Sequence, residues 1–271
     1  MSRPEISKSI KTGSFNTNYH DNGSGFPVIL VHGSGPGVSA WANWRLVMPL
    51  LAEKRRVLAL DYVGFGYTDR PHGIHYNIDT WIQQTIDFMD ALGINQADFV
   101  GNSFGGALAL GMAVVHPERV RKVVLMGAMG VNFPITEGLS KVWGYQPSIE
   151  NMKELLTMFV DNQAFASDEL AKIRYEASIE PGFQEAFSSM FPQPMQNSVR
   201  DMAKYEDKLA GLKNEFLIVH GREDKVIPVE NAYKLINMLD KAELHVFGHC
   251  GHWTQIEKSV PFATLVNNFL G

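Results

Sequence analysis

A serine that lies between two glycines is the residue whose surroundings point most directly to chemistry. Residues 101–106 read Gly-Asn-Ser-Phe-Gly-Gly, directly after the apolar run Phe99–Val100 and directly before the helical run Ala107–Val115. Gly-x-Ser-x-Gly between a strand and a helix is typical of a nucleophile elbow, a sharp turn that lifts the serine hydroxyl clear of a sheet. Without the flanking strand and helix, the motif would indicate only a glycine-rich turn. The context therefore predicts Ser103 as a nucleophile.

A serine nucleophile needs a base, and that base needs an orienting acid. Two histidines, His249 and His252, follow the apolar run Leu244–Phe247 and so lie at the carboxyl edge of the predicted sheet, where open α/β sheets build their sites. Two acids, Glu223 and Asp224, follow the preceding strand. The order serine, acid, histidine is that of α/β-hydrolases. Spacing alone leaves the choice within each pair open.

A glycine-rich run follows another apolar strand. Residues 32–37 read His-Gly-Ser-Gly-Pro-Gly and come directly after Val28–Val31. Such a loop can present backbone N–H groups to a cavity, and together with the N–H of Phe104 it predicts an oxyanion hole. The alternative is a dinucleotide-binding loop, but that loop requires G-x-G-x-x-G rather than the G-x-G-x-G found here.

The segments that must position these residues alternate between short apolar runs and helical patterns. Uniformly apolar runs are typical of parallel strands buried on both faces; they lie at Val28–Val31, Val57–Leu60, Phe99–Val100, Val123–Met126, Phe216–Val219 and Leu244–Phe247. Two earlier segments, Ile6–Ile10 and Phe15–His20, predict an antiparallel hairpin at the sheet edge, joined through Gly13. Apolar residues at helical spacing fill the intervals, as at 78–92 and 256–269. We therefore predict an α/β fold, a mostly parallel sheet with helices on both faces.

The alternation of strands and helices breaks between about Asn132 and Asp207. This stretch has no strand-like run, and prolines divide it into short helical pieces, at Pro134, Pro147, Pro181, Pro192 and Pro194. We predict a helical cap at residues 132–207, inserted into an α/β-hydrolase core made of residues 1–131 and 208–271. The alternative is an ordinary helical extension that packs on the sheet.

Composition restricts the classes of partner. The 271 residues carry 24 Lys and Arg against 29 Asp and Glu, a net charge of −5, and the basic residues are scattered. We therefore expect neither nucleic acid nor an anionic membrane surface as a partner. The single cysteine, Cys250, excludes an intramolecular disulfide framework. Cys250 with His249 and His252 would make a poor zinc site, because no carboxylate motif accompanies them, so we expect no metal. No secretory h-region and no apolar run of about 18 residues is found, which favours a cytoplasmic protein.

Taken together, four motifs resemble those of the meta-cleavage product hydrolases, which are α/β-hydrolases that cut carbon–carbon bonds in ring-opened aromatic compounds. The motifs are His-Gly-Ser-Gly-Pro-Gly at 32–37, Gly-Asn-Ser-Phe-Gly-Gly at 101–106, Gly-Arg-Glu-Asp at 221–224 and Cys-Gly-His-Trp at 250–253. The resemblance extends from Ile6 to Phe269. Residues 41–46 and 252–257 are most similar to the 2-hydroxymuconate semialdehyde and monoalkyl branch of that family.

The resemblance implies roles for individual residues. Ser103 would be the nucleophile, His252 the base and Asp224 the acid, while the N–H groups of Ser34 and Phe104 would form the oxyanion hole. Other residues resemble those that hold the substrate in the family: Arg174 as a clamp on the substrate carboxylate, Gly33, Asn43, Asn102 and Trp253 at the polar end of the pocket, and Leu139, Val142 and Trp143 at the apolar end. Simple core packing is the alternative for each of the three apolar residues.

The resemblance also implies an activity and an assembly. It implies hydrolysis of 2-hydroxy-6-oxohexa-2,4-dienoates to 2-hydroxypenta-2,4-dienoate and a small carboxylic acid, in meta-cleavage degradation of aromatic compounds. A small-molecule substrate, no cofactor and a homo-oligomer, dimer or higher, are expected with it. The alternatives are a serine carboxylesterase of the same fold and a noncatalytic ligand-binding protein. The C6 substituent, whether hydrogen, methyl, ethyl or isopropyl, is left open.

Overall fold

The computed structural model describes residues 3–271, and its strands form one eight-stranded sheet. Its strands are β1 (Lys8–Thr12), β2 (Phe15–Asn22), β3 (Pro27–Val31), β4 (Arg56–Leu60), β5 (Ala97–Asn102), β6 (Val120–Met126), β7 (Glu215–Gly221) and β8 (Ala242–Phe247). They follow the spatial order β1-β2-β4-β3-β5-β6-β7-β8. β1 and β2 form an antiparallel hairpin, β2 runs antiparallel to β4, and every later pair is parallel. The sheet is therefore mostly parallel, as predicted.

The twelve α-helices within residues 3–271 surround that sheet. They are α1 (Ala40–Trp44), α2 (Met48–Ala52), α3 (Ile78–Ala91), α4 (Phe104–Val115), α5 (Glu137–Trp143), α6 (Ile149–Phe159), α7 (Asp168–Ser178), α8 (Phe183–Met190), α9 (Gln196–Met202), α10 (Glu230–Met238), α11 (Thr254–Glu257) and α12 (Ser259–Leu270). None of them is both long and apolar enough to cross a membrane.

Two apolar cores lie on opposite faces of the sheet because successive strand residues point to opposite sides. In β3, Ile29 and Val31 contribute to the core shared with α3, α4 and α10. Val28 and Leu30 contribute to the core shared with α1, α2 and α12. All four side chains are fully buried. The prediction of buried parallel strands with helices on both faces is confirmed.

Two ends of the chain differ from the prediction. The first strand begins at Lys8 rather than Ile6, since the N–H of Ile6 bonds to the carbonyl of Arg3 in a turn and its side chain is exposed. The C-terminal pattern predicts one helix, but α11 and α12 are separate. Pro261 explains the break, because a proline has no N–H and its ring would collide with the carbonyl four residues earlier in a continuous helix.

The chain between β6 and β7 is helical, with α5 to α9 and no strand among these described residues. Pro147 separates α5 from α6, Pro181 separates α7 from α8, and Pro192 and Pro194 separate α8 from α9. The helices contact the loops at the carboxyl edge of the sheet, as when the N–H of Trp253 bonds to the carbonyl of Phe159 at the end of α6. The division into a cap of residues 132–207 and a core of residues 1–131 and 208–271 stays a prediction.

Candidate active site

Strand register brings the loops of interest to one edge of the sheet. Val31 at the end of β3 lies beside Gly101 of β5, and Asn102 lies beside Met126 at the end of β6. Farther along, Met126 pairs with Val219, and Gly221 pairs with Phe247 at the end of β8. The loops that leave these strands therefore start close together. This is why residues far apart in the sequence meet in one site.

Ser103 lies in a strained turn between β5 and α4. Its φ is 55°, a left-handed conformation that is uncommon for a residue with a side chain. The turn is held by the backbone, because the N–H of Ser103 bonds to Met126 O at 2.9 Å and its carbonyl accepts the N–H of Met129 at 3.0 Å. A Cβ at Gly101 would collide with the carbonyl of Gly105. The strand, turn and helix expected of a nucleophile elbow are all present.

A buried hydrogen bond joins His252 to Asp224. The distance from His252 Nδ1 to Asp224 Oδ2 is 2.7 Å, and both side chains are buried. The other carboxylate oxygen of Asp224 accepts the N–H groups of Val226 and Ile227 at 2.8 and 2.9 Å. Burial alone would raise the pKa of Asp224, but the charge of His252 and hydrogen bonds from His252 and His220 hold that pKa well below its usual range. The carboxylate fixes the proton on Nδ1 and leaves Nε2 free to act as a base.

Glu223 and His249, the other acid and the other histidine that the sequence offers, lie outside this hydrogen bond. Glu223 accepts the N–H of Cys250 at 3.0 Å and pairs with Arg222, so it holds the loop rather than a histidine. His249 has a φ of 51°, and it does not line the cavity that Ser103 and His252 share. Of the four candidates, the structure joins only Asp224 and His252.

His220 is a functional candidate that the sequence marks only as a packing or loop residue. Its Nε2 lies 2.9 Å from Ile227 O and 3.3 Å from Asp224 Oδ2, and the side chain is 1% exposed. Since a carbonyl oxygen can only accept, Nε2 carries the hydrogen and faces the carboxylate as well. The signal that could have found it is its position four residues before Asp224.

Most of the predicted site residues line a single cavity, which we call the active-site cavity. They are Gly33, Ser34, Asn43, Asn102, Ser103, Leu139, Val142, Arg174, His252 and Trp253. Asp224 lies behind His252, and the ring of Phe104 packs in the core against Trp81. No hydrogen bond from the Ser103 hydroxyl is formed within residues 3–271, although Ser103 and His252 face the same space. Such contacts are often made only when substrate binds.

Trp143 has its contacts outside the active-site cavity. It does not line the cavity but stacks on Phe191 at a ring distance of 4.3 Å, and its indole N–H donates to Ser34 Oγ at 3.0 Å. The indole N–H of Trp143 thus has a polar partner behind the residues that line the cavity. Its role as an apolar wall stays a prediction, with core packing as the alternative. The side chain connects α5 to the loop that follows β3.

Two backbone N–H groups near Ser103 have no acceptor among the described residues. They belong to Ser34 and Phe104. Phe104 is the first residue of α4, so its N–H has no partner within the helix, and the helix start favours negative charge. The neighbouring N–H of Gly33 bonds instead to Asn43 Oδ1 at 3.3 Å. Both free donors are available to a developing oxyanion.

The polar end of the cavity contains buried groups without partners. Arg174 is 8% exposed, its Nη2 donates to Pro36 O at 3.2 Å, and no carboxylate lies within 4 Å of it in residues 3–271. Burial lowers the pKa of Arg174 to about 10, and the charge of Arg45 acts in the same direction. Asn43 Nδ2 and Gln255 Oε1 are buried without a hydrogen-bond partner among the described residues, and both residues line the same cavity as Arg174. These groups suit a ligand with a carboxylate and further polar atoms.

Several residues that line the cavity were not among the predicted site residues. They are Arg45, Phe159, Leu170, Val226, Gln255 and Ile256. Arg45, Gln255 and Ile256 lie within the segments 41–46 and 252–257 that resemble one branch of the family, but nothing in their spacing assigns them to the cavity. The described residues contain no cluster of three or more His, Cys, Asp or Glu side chains that could hold a metal ion.

Comparisons with known proteins agree with this geometry. Residues 27–259 match the profile of the alpha/beta hydrolase fold family. The chain also matches the solved structure of a meta-cleavage product hydrolase from Pseudomonas fluorescens IP01 (CumD), an S103A mutant complexed with acetates, at 54% identity and a TM-score of 0.98. The match covers 99% of this chain and 98% of that one. The chain belongs to the meta-cleavage product hydrolases. The fold and the family predicted from the sequence are confirmed.

Two curated relatives of this meta-cleavage product hydrolase have names that state a substrate. One is a 2-hydroxymuconate semialdehyde hydrolase from Pseudomonas sp. strain CF600, 54% identical over 267 residues, which covers 98% of this chain and 94% of the relative. The other is a 2-hydroxy-6-oxo-2,4-heptadienoate hydrolase from Pseudomonas putida strain F1, 53% identical over 266 residues, which covers 98% and 96%. Similarity of this extent over the whole chain confirms the predicted class, a hydrolase of the meta-cleavage type.

Proposed function

We propose that this protein hydrolyses the C5–C6 bond of 2-hydroxy-6-oxohexa-2,4-dienoates and releases 2-hydroxypenta-2,4-dienoate and a small carboxylic acid. One observation carries the proposal. A buried arginine without a carboxylate partner among the described residues, Arg174, lines the same cavity as Ser103 and His252. A guanidinium binds a carboxylate through paired hydrogen bonds, and the substrate has its carboxylate at the end remote from the bond that breaks.

The first chemical step prepares an electron sink. His252 moves a proton from the 2-hydroxyl to C5, which converts the dienol into a 2,6-dioxohex-3-enoate. The hydrogen bond from His252 Nδ1 to Asp224 keeps Nε2 available for this transfer. Cleavage of C5–C6 can then place the electron pair of that bond on the C2 oxygen, through the C3–C4 double bond. No cofactor is needed, because the substrate itself accepts the electrons.

The second step breaks the bond. Ser103 gives its proton to His252 and attacks the C6 carbonyl, while the N–H groups of Ser34 and Phe104 hold the oxyanion. One such donor is typically worth about 3–4 kcal/mol. Collapse breaks the C5–C6 bond and leaves the C6 fragment as an ester on Ser103. The departing dienolate takes the proton held by His252 and becomes 2-hydroxypenta-2,4-dienoate, which returns His252 to its neutral form. Water activated by His252 then hydrolyses that ester.

The pocket end around C6 favours small substituents. The apolar side chains that line the cavity include Leu139, Val142, Phe159 and Val226, and we assign them to this end. The names of the two curated relatives correspond to hydrogen and methyl at C6. We propose the same preference here. The homo-oligomeric state and the cytoplasmic location expected from the sequence stay predictions. Light scattering coupled to size-exclusion chromatography measures the oligomeric state.

The yellow dienoates test this function. We would follow the loss of visible absorbance for substrates with hydrogen, methyl, isopropyl or phenyl at C6, with Ser103→Ala as the control. Fast bleaching that depends on Ser103 and is fastest for hydrogen and methyl is the expected result. No bleaching of any dienoate by well-folded protein that still hydrolyses aryl esters would overturn the proposal in favour of an esterase. Ligand binding without turnover of either class would favour a noncatalytic protein.

A further inference from the structure

A second cavity lies against the active-site cavity, and we call it the outer cavity. It is bounded by Glu5 of the N-terminal segment, Trp41 of α1, Tyr67, and Ile173 and Ala177 of α7. Four residues line both cavities: Ala42, Arg45, Leu170 and Arg174. The two spaces therefore meet along a boundary that contains two positive charges.

These two arginines have little to neutralise them. Arg45 Nη1 donates to Ala42 O at 2.8 Å and Arg174 Nη2 to Pro36 O at 3.2 Å, which leaves most of the five N–H groups of each guanidinium without a partner among the described residues. Neither lies within 4 Å of a carboxylate of residues 3–271. Burial lowers the pKa of both, and the charge of Arg45 lowers the pKa of Arg174 further. Two like charges held this way favour an anion at the boundary.

The N-terminal segment is fixed over the outer cavity. The carbonyl of Glu5 accepts Asn18 Nδ2 at 2.9 Å and lies 3.2 Å from His20 Nε2, and Arg3 pairs with Glu180 beyond α7 at 2.7 Å. The charge of Glu5 raises the pKa of both arginines, so this acid acts on them from the outer side. A single acid thus opposes two cations at the boundary, and the site remains positive toward an arriving carboxylate.

We propose that the outer cavity is the passage by which the anionic substrate enters and the dienoate product leaves, and that Arg45 binds the carboxylate along this path before Arg174 does. The inference rests on the proposed function for the identity of the anion. Arg45 is then a second cation for the carboxylate, and Glu5 lowers the affinity of the passage for anions. Since the reacting C6 carbonyl is remote from the carboxylate, Arg45 acts on capture rather than on bond cleavage.

The first experiment tests the charges of the passage with the variants Arg45→Gln and Glu5→Gln. The control is Arg200→Gln, which removes a positive charge, as Arg45→Gln does, from an exposed position on α9 that lines neither cavity. For the methyl-substituted dienoate we expect kcat/KM to fall about tenfold in Arg45→Gln, the low end of electrostatic steering, and its dependence on ionic strength to flatten. Glu5→Gln should raise kcat/KM, and Arg200→Gln should leave it unchanged. Inhibition by sorbate, a stable dienoate, should weaken in Arg45→Gln and strengthen in Glu5→Gln.

The second experiment narrows the passage with Ile173→Trp and uses Ile179→Trp as the control. Both isoleucines lie on or next to α7 and are 49% and 48% exposed, but of the two only Ile173 lines the outer cavity. A larger side chain at 173 should lower the rate of hydrolysis of the dienoate and of a neutral p-nitrophenyl ester alike, and one at 179 should lower neither rate. Equal effects of the two tryptophans would overturn the passage. Equal losses on dienoate and ester in Arg45→Gln, or no loss, would overturn its role in binding. If the wild-type protein bleaches no dienoate, the proposed function fails. Inhibition of p-nitrophenyl ester hydrolysis by sorbate then still measures the role of Arg45.

Discussion

The two ends of the active-site cavity are constructed in opposite ways. At the reacting end, Ser103 and Asp224 have their positions fixed by backbone hydrogen bonds from neighbouring strands and loops. At the polar end, Arg174 has one carbonyl acceptor, and Gln255 Oε1 has no donor among the described residues. The backbone at the reacting end is therefore fixed before substrate arrives, as electrostatic preorganisation requires, and only the contact of the Ser103 hydroxyl with His252 is still to form. The polar end leaves its hydrogen-bonding groups for the ligand, which indicates that binding energy is concentrated there.

The largest expected effect lies at the reacting end. Asp224→Asn keeps the shape but replaces an acceptor with an amide, which permits the wrong tautomer of His252, so kcat should fall about 10⁴-fold, as in other serine triads. Glu223→Gln is the matched control, since Glu223 contacts Cys250 N and Arg222 rather than a histidine. Single-turnover bleaching measures both. A mild Asp224→Asn beside a crippled Glu223→Gln would reverse the assignment.

The next effect belongs to the polar end. Arg174→Gln removes the buried cation that we assign to the substrate carboxylate, so kcat/KM for dienoate acids should fall about 100-fold, within the range for a buried charged contact. Neutral aryl esters should lose much less, because they have no carboxylate to bind. Steady-state kinetics with both substrate classes separates the two. Equal losses would show that Arg174 supports the fold of the cavity rather than recognition.

We expect a smaller loss of activity when Gln255 is replaced, combined with a gain in stability. We expect its unpartnered oxygen to accept the 2-hydroxyl of the substrate, so Gln255→Leu should weaken turnover of dienoates by roughly tenfold, equivalent to one hydrogen bond of about 1 kcal/mol or slightly more. Because a buried acceptor without a donor is itself unfavourable, the same change should raise the free energy of unfolding.

Gln184→Leu is the control for that variant, since Gln184 also has an unpartnered Oε1 but does not line the cavity. Thermal unfolding and dienoate kinetics on both variants are the measurements. A Gln255→Leu protein that is less stable and fully active would exclude the contact with the substrate.

The contrast between the two ends also explains what could be predicted from the sequence. The elbow, the buried parallel strands and the acid–histidine loops follow from local patterns, because a buried strand and a glycine turn restrict the backbone wherever they occur. Arg45 and Gln255 could not be found this way, since their place in the cavity depends on how α1, α7 and α11 pack in three dimensions. The hydrogen bond of Trp143 to Ser34 depends on such packing as well. An aromatic residue at helical spacing says nothing about which partner its indole N–H will find.

Trp143, which contacts the loop of the predicted oxyanion hole, supplies the smallest expected effect. Trp143→Phe keeps a ring to stack on Phe191 but removes the N–H that Ser34 Oγ accepts at 3.0 Å. A neutral hydrogen bond of about 1 kcal/mol is lost, and the loop that presents the Ser34 N–H becomes less fixed. We therefore expect kcat to fall a few-fold on dienoates and aryl esters alike, with KM unchanged. If Trp143 instead formed the wall around C6, KM would change with the size of the C6 substituent and kcat on the smallest dienoate would not.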